Sequence, residues 1–227
     1  MMFTFPLLLT MYAGFTHAFE ADHLLAVSNI VSSRNKMILA VKDGLYWGLG
    51  HTSTIFFIGM LMIVFKAGIS TQYFHFFEAV VGLMLMVLAL YRIAKFFRSK
   101  KIIVHAHAHE HNGEQHQHLH VHVGKENKHR HPHSLAYSVG LVHGLAGSGA
   151  LIVIVMSQIK GPIDGLTCLL IFGMACIAGM VCAAGLFSIP FSKKIMKAEA
   201  LQHFLIMSSS LLCLLYGSKV MYENLIV

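Results

Sequence analysis

The chain has 227 residues, of which 56% are apolar and 12% charged; 17 are histidine, and the formal net charge is +7. A soluble globular chain is about a quarter charged, and a mean hydropathy of +0.66 is too high for a surface wetted on all sides. Collagen-like, disulfide-scaffold and disordered classes are excluded by the same figures, and the basic residues sit between apolar runs rather than in a nucleic-acid patch. What remains is an integral membrane protein built of helices, with the lipid bilayer as its main partner and no role for nucleic acid.

Six apolar segments follow in chain order, at roughly 3–31, 39–65, 74–96, 135–159, 163–189 and 201–225. Each exceeds the ~20 residues that cross a bilayer. The first lacks the basic n-region and small-residue cleavage site of a signal peptide, and it is read as a retained span. It contains His17-Ala-Phe-Glu20-Ala-Asp22-His23, four ionisable side chains within seven residues. One Asp at a bilayer centre costs about 2.5–3.5 kcal/mol even on the lenient insertion scale. A divalent cation would compensate such a cluster, and mixed imidazole and carboxylate ligands suit nickel, cobalt, zinc, copper or iron. Geometry limits how the four can act. In a regular helix His17 and His23 are separated by ~9 Å of axial rise, and Asp22 lies nearly opposite Glu20. Either the helix unwinds here, freeing backbone carbonyls as well, or only a subset binds one ion. His17, Asp22 and His23 are the leading ligands, with Glu20 a supporting group or proton carrier. A water-satisfied polar patch at the membrane edge is the bland alternative, and the apolar residues on both flanks argue against it.

The second segment carries Gly50-His51-Thr52-Ser53-Thr54. A lone buried histidine is usually only hydrogen-bonded, but His51 lies mid-span beside three hydroxyls, and Gly48 and Gly50 permit close helix approach. It is expected to join the same site. Asn29 and Ser148 are weaker candidates. Glu78 and His203 fall near segment ends and are read as interfacial.

Between the third and fourth segments, 99–133 forms a loop with eleven histidines. His105, His107, His109 and His111 alternate, as do His116, His118, His120 and His122, and His129, His131 and His133 follow. The loop is too poor in apolar residues to pack a core, so it is expected to be mobile. Alternating imidazoles on a flexible chain bind borderline metals with modest affinity. A metal-free linker and a pH sensor are the competing readings. The fourth segment holds His143-Gly-Leu-Ala-Gly-Ser-Gly149, too glycine-rich for a quiet helix. The four cysteines, Cys168, Cys176, Cys182 and Cys213, show no CxxC spacing and read as small packing residues.

The two halves resemble each other at an offset near 125. Gly14-Phe-Thr-His17 matches Gly140-Leu-Val-His143, Asp43-Gly44-Leu45 matches Asp164-Gly165-Leu166, and Leu90-Tyr91 matches Leu215-Tyr216. The expected fold is all-α: two inverted three-helix repeats, 1–98 and 134–227, joined by the histidine loop 99–133. Inverted repeats of this kind place a substrate site at broken helices near the midplane, which makes His143 the counterpart of His17 and a further ligand. Fourteen of the 17 Lys and Arg residues fall on the face that carries the long loop, and three on the other. The positive-inside rule puts that loop in the cytoplasm and both termini outside the inner membrane.

With these residues assembled, the chain resembles the nickel/cobalt transporter family. His17-Ala-Phe-Glu-Ala-Asp22-His23 has that family's HxxxxDH spacing, Leu24-Leu-Ala26-Val-Ser-Asn29 continues it, and Leu49-Gly50-His51-Thr-Ser-Thr is similar to its Leu-Gly-His-Ser-Thr motif. Val142-His143-Gly-Leu-Ala-Gly-Ser-Gly149 resembles related membrane proteins grouped with urease accessory functions. Thr16 stands where the motif has arginine and Glu20 where it has aspartate, and six segments stand where the best-known members have eight. The resemblance implies transport of Ni2+ or Co2+ as substrate, with no resident cofactor, and metal recognition by His17, Asp22, His23 and His51. The expected function is therefore a secondary transporter, not an enzyme, with uptake favoured and a cytoplasmic metal acceptor beyond it. The alternative is a membrane metallochaperone for urease or hydrogenase assembly. A di-iron membrane enzyme would need HxxxH-like pairs at one face, and these are missing outside the loop.

Overall fold

The computed structural model describes residues 4–34, 36–65, 71–99, 102–111, 114–123, 133–158, 161–191 and 199–225; for 102–123 and 147–158 the description is of the backbone. Seven α-helices form its body: α1 (Thr4–His17), α2 (Ala21–Val31), α3 (Met37–Phe65), α4 (Thr71–Ser99), α5 (Ser134–Gln158), α6 (Pro162–Ser188) and α7 (Glu199–Leu225). The helical segments coincide with the six apolar segments, the first being shared between α1 and α2. Four of the described helices, within 37–65, 72–98, 162–191 and 200–225, are long and apolar enough to cross a membrane. This is the build of a polytopic membrane protein. Large apolar side chains such as Leu83, Val87 and Leu90 on α4 and Phe204, Leu211 and Leu215 on α7 lie exposed on the outside of the bundle, where lipid would cover them.

The first apolar segment is not one helix. α1 ends at His17, and the chain turns through Ala18 and Phe19 before α2 begins at Ala21, with Glu20 extended at its N-cap (φ −67°, ψ 156°). The unwinding expected on distance grounds is present. It does not free every carbonyl, however: the Phe19 N–H donates to Thr16 O (2.9 Å) and the Glu20 N–H to His17 O (3.1 Å). The corresponding break expected near Gly144–Gly149 is absent, because α5 is continuous from Ser134 to Gln158. Its glycines serve close packing instead. A Cβ on Gly144 would come 2.6 Å from His51 O, so the α5 glycines admit the α3 backbone rather than kink their own helix.

α3 packs against α6 and α5, α6 in turn against α1, and α4 against α7. The closest approaches are at glycine. Gly82 of α4 and Gly217 of α7 face each other, so that a Cβ on either would lie 2.6–2.7 Å from the other's carbonyl oxygen. Gly14 of α1 meets the backbone of Phe172 in α6, and Gly140 of α5 meets the backbone of Trp47 in α3, with no room for a side chain at either place. The short helix α2 is tied to α7 where Ser210 Oγ donates to Asn29 Oδ1 (2.8 Å), and to α4 where Arg92 Nε donates to Ser32 Oγ (2.7 Å). Asn29 is thus a structural tie rather than a ligand.

The backbone of the histidine loop forms two ten-residue strands, β1 (Ile102–His111) and β2 (Glu114–Val123), paired antiparallel. The register sets His105 opposite His120, His107 opposite His118 and His109 opposite His116. The expectation of a mobile loop missed this pairing. The period-two alternation that spaces the histidines is also the period of a strand, and a hairpin needs no packed core to satisfy its ladder. His129 and His131 lie outside the described residues, and so does the side chain of Ser148.

Candidate metal site

The break between α1 and α2 decides where the site lies. It brings His17, at the end of α1, and His23, in the first turn of α2, onto the same inward side: their ring centroids are 4.6 Å apart. His51 from α3 completes a triangle, 5.4 Å from His17 and 5.1 Å from His23. Three imidazoles around one transition-metal ion have ring centres roughly 4.5–5.5 Å apart. His143 from α5 stacks on His23 at 4.0 Å and lies 5.9 Å from His51. Histidines from four helices therefore meet in one place, all of them buried.

Carboxylates orient three of the four rings. His23 Nδ1 donates to Asp22 Oδ1 (2.9 Å), and His143 Nε2 donates to Asp22 Oδ2 (2.8 Å). His17 Nδ1 lies in ion-pair range of Glu20 Oε1 (3.0 Å). An ionised carboxylate can only accept, so each contact assigns the proton to the ring nitrogen that faces it. The opposite nitrogens then carry lone pairs. Those nitrogens, His17 Nε2, His23 Nε2 and His143 Nδ1, are buried without a hydrogen-bond partner, as are both ring nitrogens of His51. A carboxylate behind an imidazole whose other nitrogen points at empty coordination space is the usual outer support of a metal-binding histidine. One buried polar atom without a partner costs about 1–3 kcal/mol, and five in one cluster are not tolerated for packing alone. The indole N–H of Trp47, which lies 5.5 Å ring to ring from His23 and 5.9 Å from His143, is likewise buried and unpartnered.

Ligand-capable atoms fall into three overlapping groups, each with its atoms within 4.8 Å of one another: Asp22, His23 and His143; His17, Glu20 and His23; His17, His51 and Cys176. All six residues singled out from the apolar segments, His17, Glu20, Asp22, His23, His51 and His143, are brought together. They differ in setting. Asp22 is part-buried between two imidazoles, whereas the Glu20 side chain is 58% exposed and touches the cluster only through His17. The three hydroxyls beside His51 are spent on main-chain carbonyls: Thr52 Oγ1 donates to Gly173 O (3.1 Å), Ser53 Oγ to Leu49 O (2.6 Å) and Thr54 Oγ1 to Leu141 O (2.9 Å). And Cys176, read from sequence as packing, sets its thiol beside His17 and His51. No spacing rule could have found it, since its partners come from other helices. The side chains of the loop histidines 105, 107, 109, 111, 116, 118, 120 and 122 lie outside the description.

An apolar helical bundle with imidazoles and a carboxylate converging at its centre defines a class: polytopic membrane proteins with an internal polar site. Within that class, the chain is 31% identical over 210 residues to the urease accessory protein UreH of Bacillus sp. (strain TB-90), an alignment that covers 92% of this chain and 87% of the relative. The chain belongs to the UreH family. No protein-family model matches it, and no solved structure does.

Proposed function

We propose that this protein is a secondary transporter that carries Ni2+ or Co2+ across the cytoplasmic membrane, with uptake favoured over efflux. The observation that carries the reading is the set of five buried imidazole nitrogens without partners around His17, His23, His51 and His143. A dication would receive one lone pair from each of the four rings, the second nitrogen of His51 carrying that ring's proton, and Asp22 would balance part of its charge while holding two of the rings. Imidazole nitrogen with carboxylate support suits Ni2+ and Co2+. His17 and His23 each belong to two of the three ligand groups, so an ion could pass from one group to the next without ever losing all its ligands. Glu20, at the exposed edge, would be the first carboxylate to meet it, and the Trp47 indole N–H would donate to a water that the ion retains.

In this reading the six apolar segments are six spans, arranged as inverted repeats 1–98 and 134–227. Supporting this, the helix pairs exchange consistently between halves: α3 meets α6 and α4 meets α7, while α3 with α5 is mirrored by α6 with α1. The close approaches at Gly14 and Gly140, which match in sequence, are likewise mirrored. The charge bias of the loops places the histidine loop in the cytoplasm and both termini outside. A cell interior negative by 100 mV favours inward movement of a dication by about 4.6 kcal/mol, which supports uptake without a nucleotide-driven partner. The loop histidines would then collect ions on the inner side and pass them to a cytoplasmic metal acceptor. No residue is assigned a catalytic role.

The test is nickel flux into proteoliposomes holding the full chain under an inside-negative potential. The expected result is saturable uptake that falls 10- to 100-fold in Asp22→Asn, since losing the carboxylate releases two rings. Wild-type flux equal to that of empty vesicles overturns the transport reading. A second reading, a membrane metallochaperone for a nickel enzyme, is favoured by the accessory role in the relative's name. It predicts nickel binding without flux and loss of nickel delivery when 102–123 is deleted, whereas a transporter keeps most of its flux after that deletion.

A further inference from the structure

Away from the histidine cluster, a cavity of about 290 Å3 opens where the end of α2, the end of α4 and the start of α5 converge, and its lining includes Asn29, Ser33, Arg34, Tyr91, Arg92 and Lys95. The charges in its wall do not balance. Arg34 is matched by Asp43, which also lines the cavity and receives both Arg34 Nε and Nη2. Arg92 is only 8% exposed, and its hydrogen bonds go to neutral groups, Ser32 Oγ (2.7 Å) and Ser32 O (2.9 Å). Lys95 is half-buried one turn further along the same helix. Among the described residues neither Arg92 nor Lys95 has a carboxylate partner. A buried guanidinium without a counter-ion is expensive. Ser134, Leu135 and Ala136, the first three residues of α5, complete the lining, and the unpaired N–H groups of a helix start favour negative charge. Two unmatched cations and a helix N-terminus around one cavity repel a metal dication and attract an anion.

We propose that this cavity is an anion site that takes a phosphate group, held by Arg92 and Lys95 against the N-terminus of α5. The planar fork of arginine matches phosphate oxygens, and lysine adds a second point of charge. Tyr91, in the same wall, offers a hydroxyl as a neutral hydrogen-bond partner. The phosphate could belong to an anionic lipid headgroup, reached from the basic face of the membrane, or to a soluble phosphate. Either would join α2, α4 and α5 by a contact that none of them makes alone.

The full chain would be released from vesicles of equal phosphatidylglycerol and phosphatidylcholine and examined by native mass spectrometry for retained lipid. In parallel, its thermal unfolding would be followed in inorganic phosphate and in chloride at equal ionic strength. Retention of phosphatidylglycerol over phosphatidylcholine by about tenfold, cut about fivefold in Lys95→Gln and restored in Lys95→Arg, supports a lipid source. Stabilisation by inorganic phosphate that Lys95→Gln removes, with no lipid preference, supports a soluble source. Lys95 is half-buried and its replacement is expected to fold; Arg92→Gln is the stronger variant where it can be purified. Equal retention of both lipids with no effect of phosphate overturns the proposal, as does any preference left unchanged in Lys95→Gln.

Discussion

Two buried clusters in this protein are each built on an aspartate and histidine, and they end in opposite states. At the start of α3, Asp43 is 1% exposed and accepts from both Arg34 nitrogens and from His133 Nδ1 (2.7 Å), whose ring stacks on Tyr46 at 5.0 Å. Both of its oxygens are engaged. In the bundle centre, Asp22 accepts from His23 and His143, but the far nitrogens of those rings, and of His17 and His51, meet nothing. The first cluster pins the loop-side ends of α3 and α5 together. The second holds lone pairs in reserve. Burial of charge alone therefore does not mark a functional site; unused coordination capacity does.

The comparison can be broken most forcefully at Asp43. Asp43→Ala strips a buried guanidinium of its counter-ion, which costs about 3–5 kcal/mol. The midpoint of thermal unfolding should fall by about 10 °C, while nickel affinity of the folded fraction stays the same; a loss of affinity without a loss of stability would reverse the roles assigned to the two clusters. His51→Phe should do the opposite. It replaces two unsatisfied nitrogens by an apolar ring of similar shape, so stability should change by less than about 1 kcal/mol, while nickel affinity measured by calorimetry drops about tenfold or more. A marked fall in stability would mean that His51 is a packing residue after all. The smallest effect is expected at Cys176→Ser. Thiolate selects soft ions, so competition by Cd2+ for bound nickel should weaken a few-fold while affinity for nickel itself barely moves; unchanged competition would remove Cys176 from the site.

Much of the site was legible before folding because membrane burial makes polar residues conspicuous. His17, Glu20, Asp22, His23, His51 and His143 stand out in apolar surroundings, and the ~9 Å between His17 and His23 in a regular helix left either a break or binding by a subset; the break is what the fold adopts. Cys176 was not legible, because a cysteine is at home in an apolar helix and signals nothing until its neighbours are known. The hydroxyls of Thr52, Ser53 and Thr54 beside His51 go to carbonyls, because in an apolar bundle a hydroxyl readily satisfies itself one turn away or on the adjoining helix. Gly144 was read as part of a break when it admits the α3 backbone.

Composition and hydropathy by themselves determined a membrane helical protein and the positions of its apolar segments, because these depend only on how each residue partitions between water and lipid. Which imidazoles share a centre, which nitrogens remain unpaired, and that Arg92 has no acid partner among the described residues were decided by tertiary structure alone. Each of those facts is a distance between helices far apart in the chain, and no local preference encodes it.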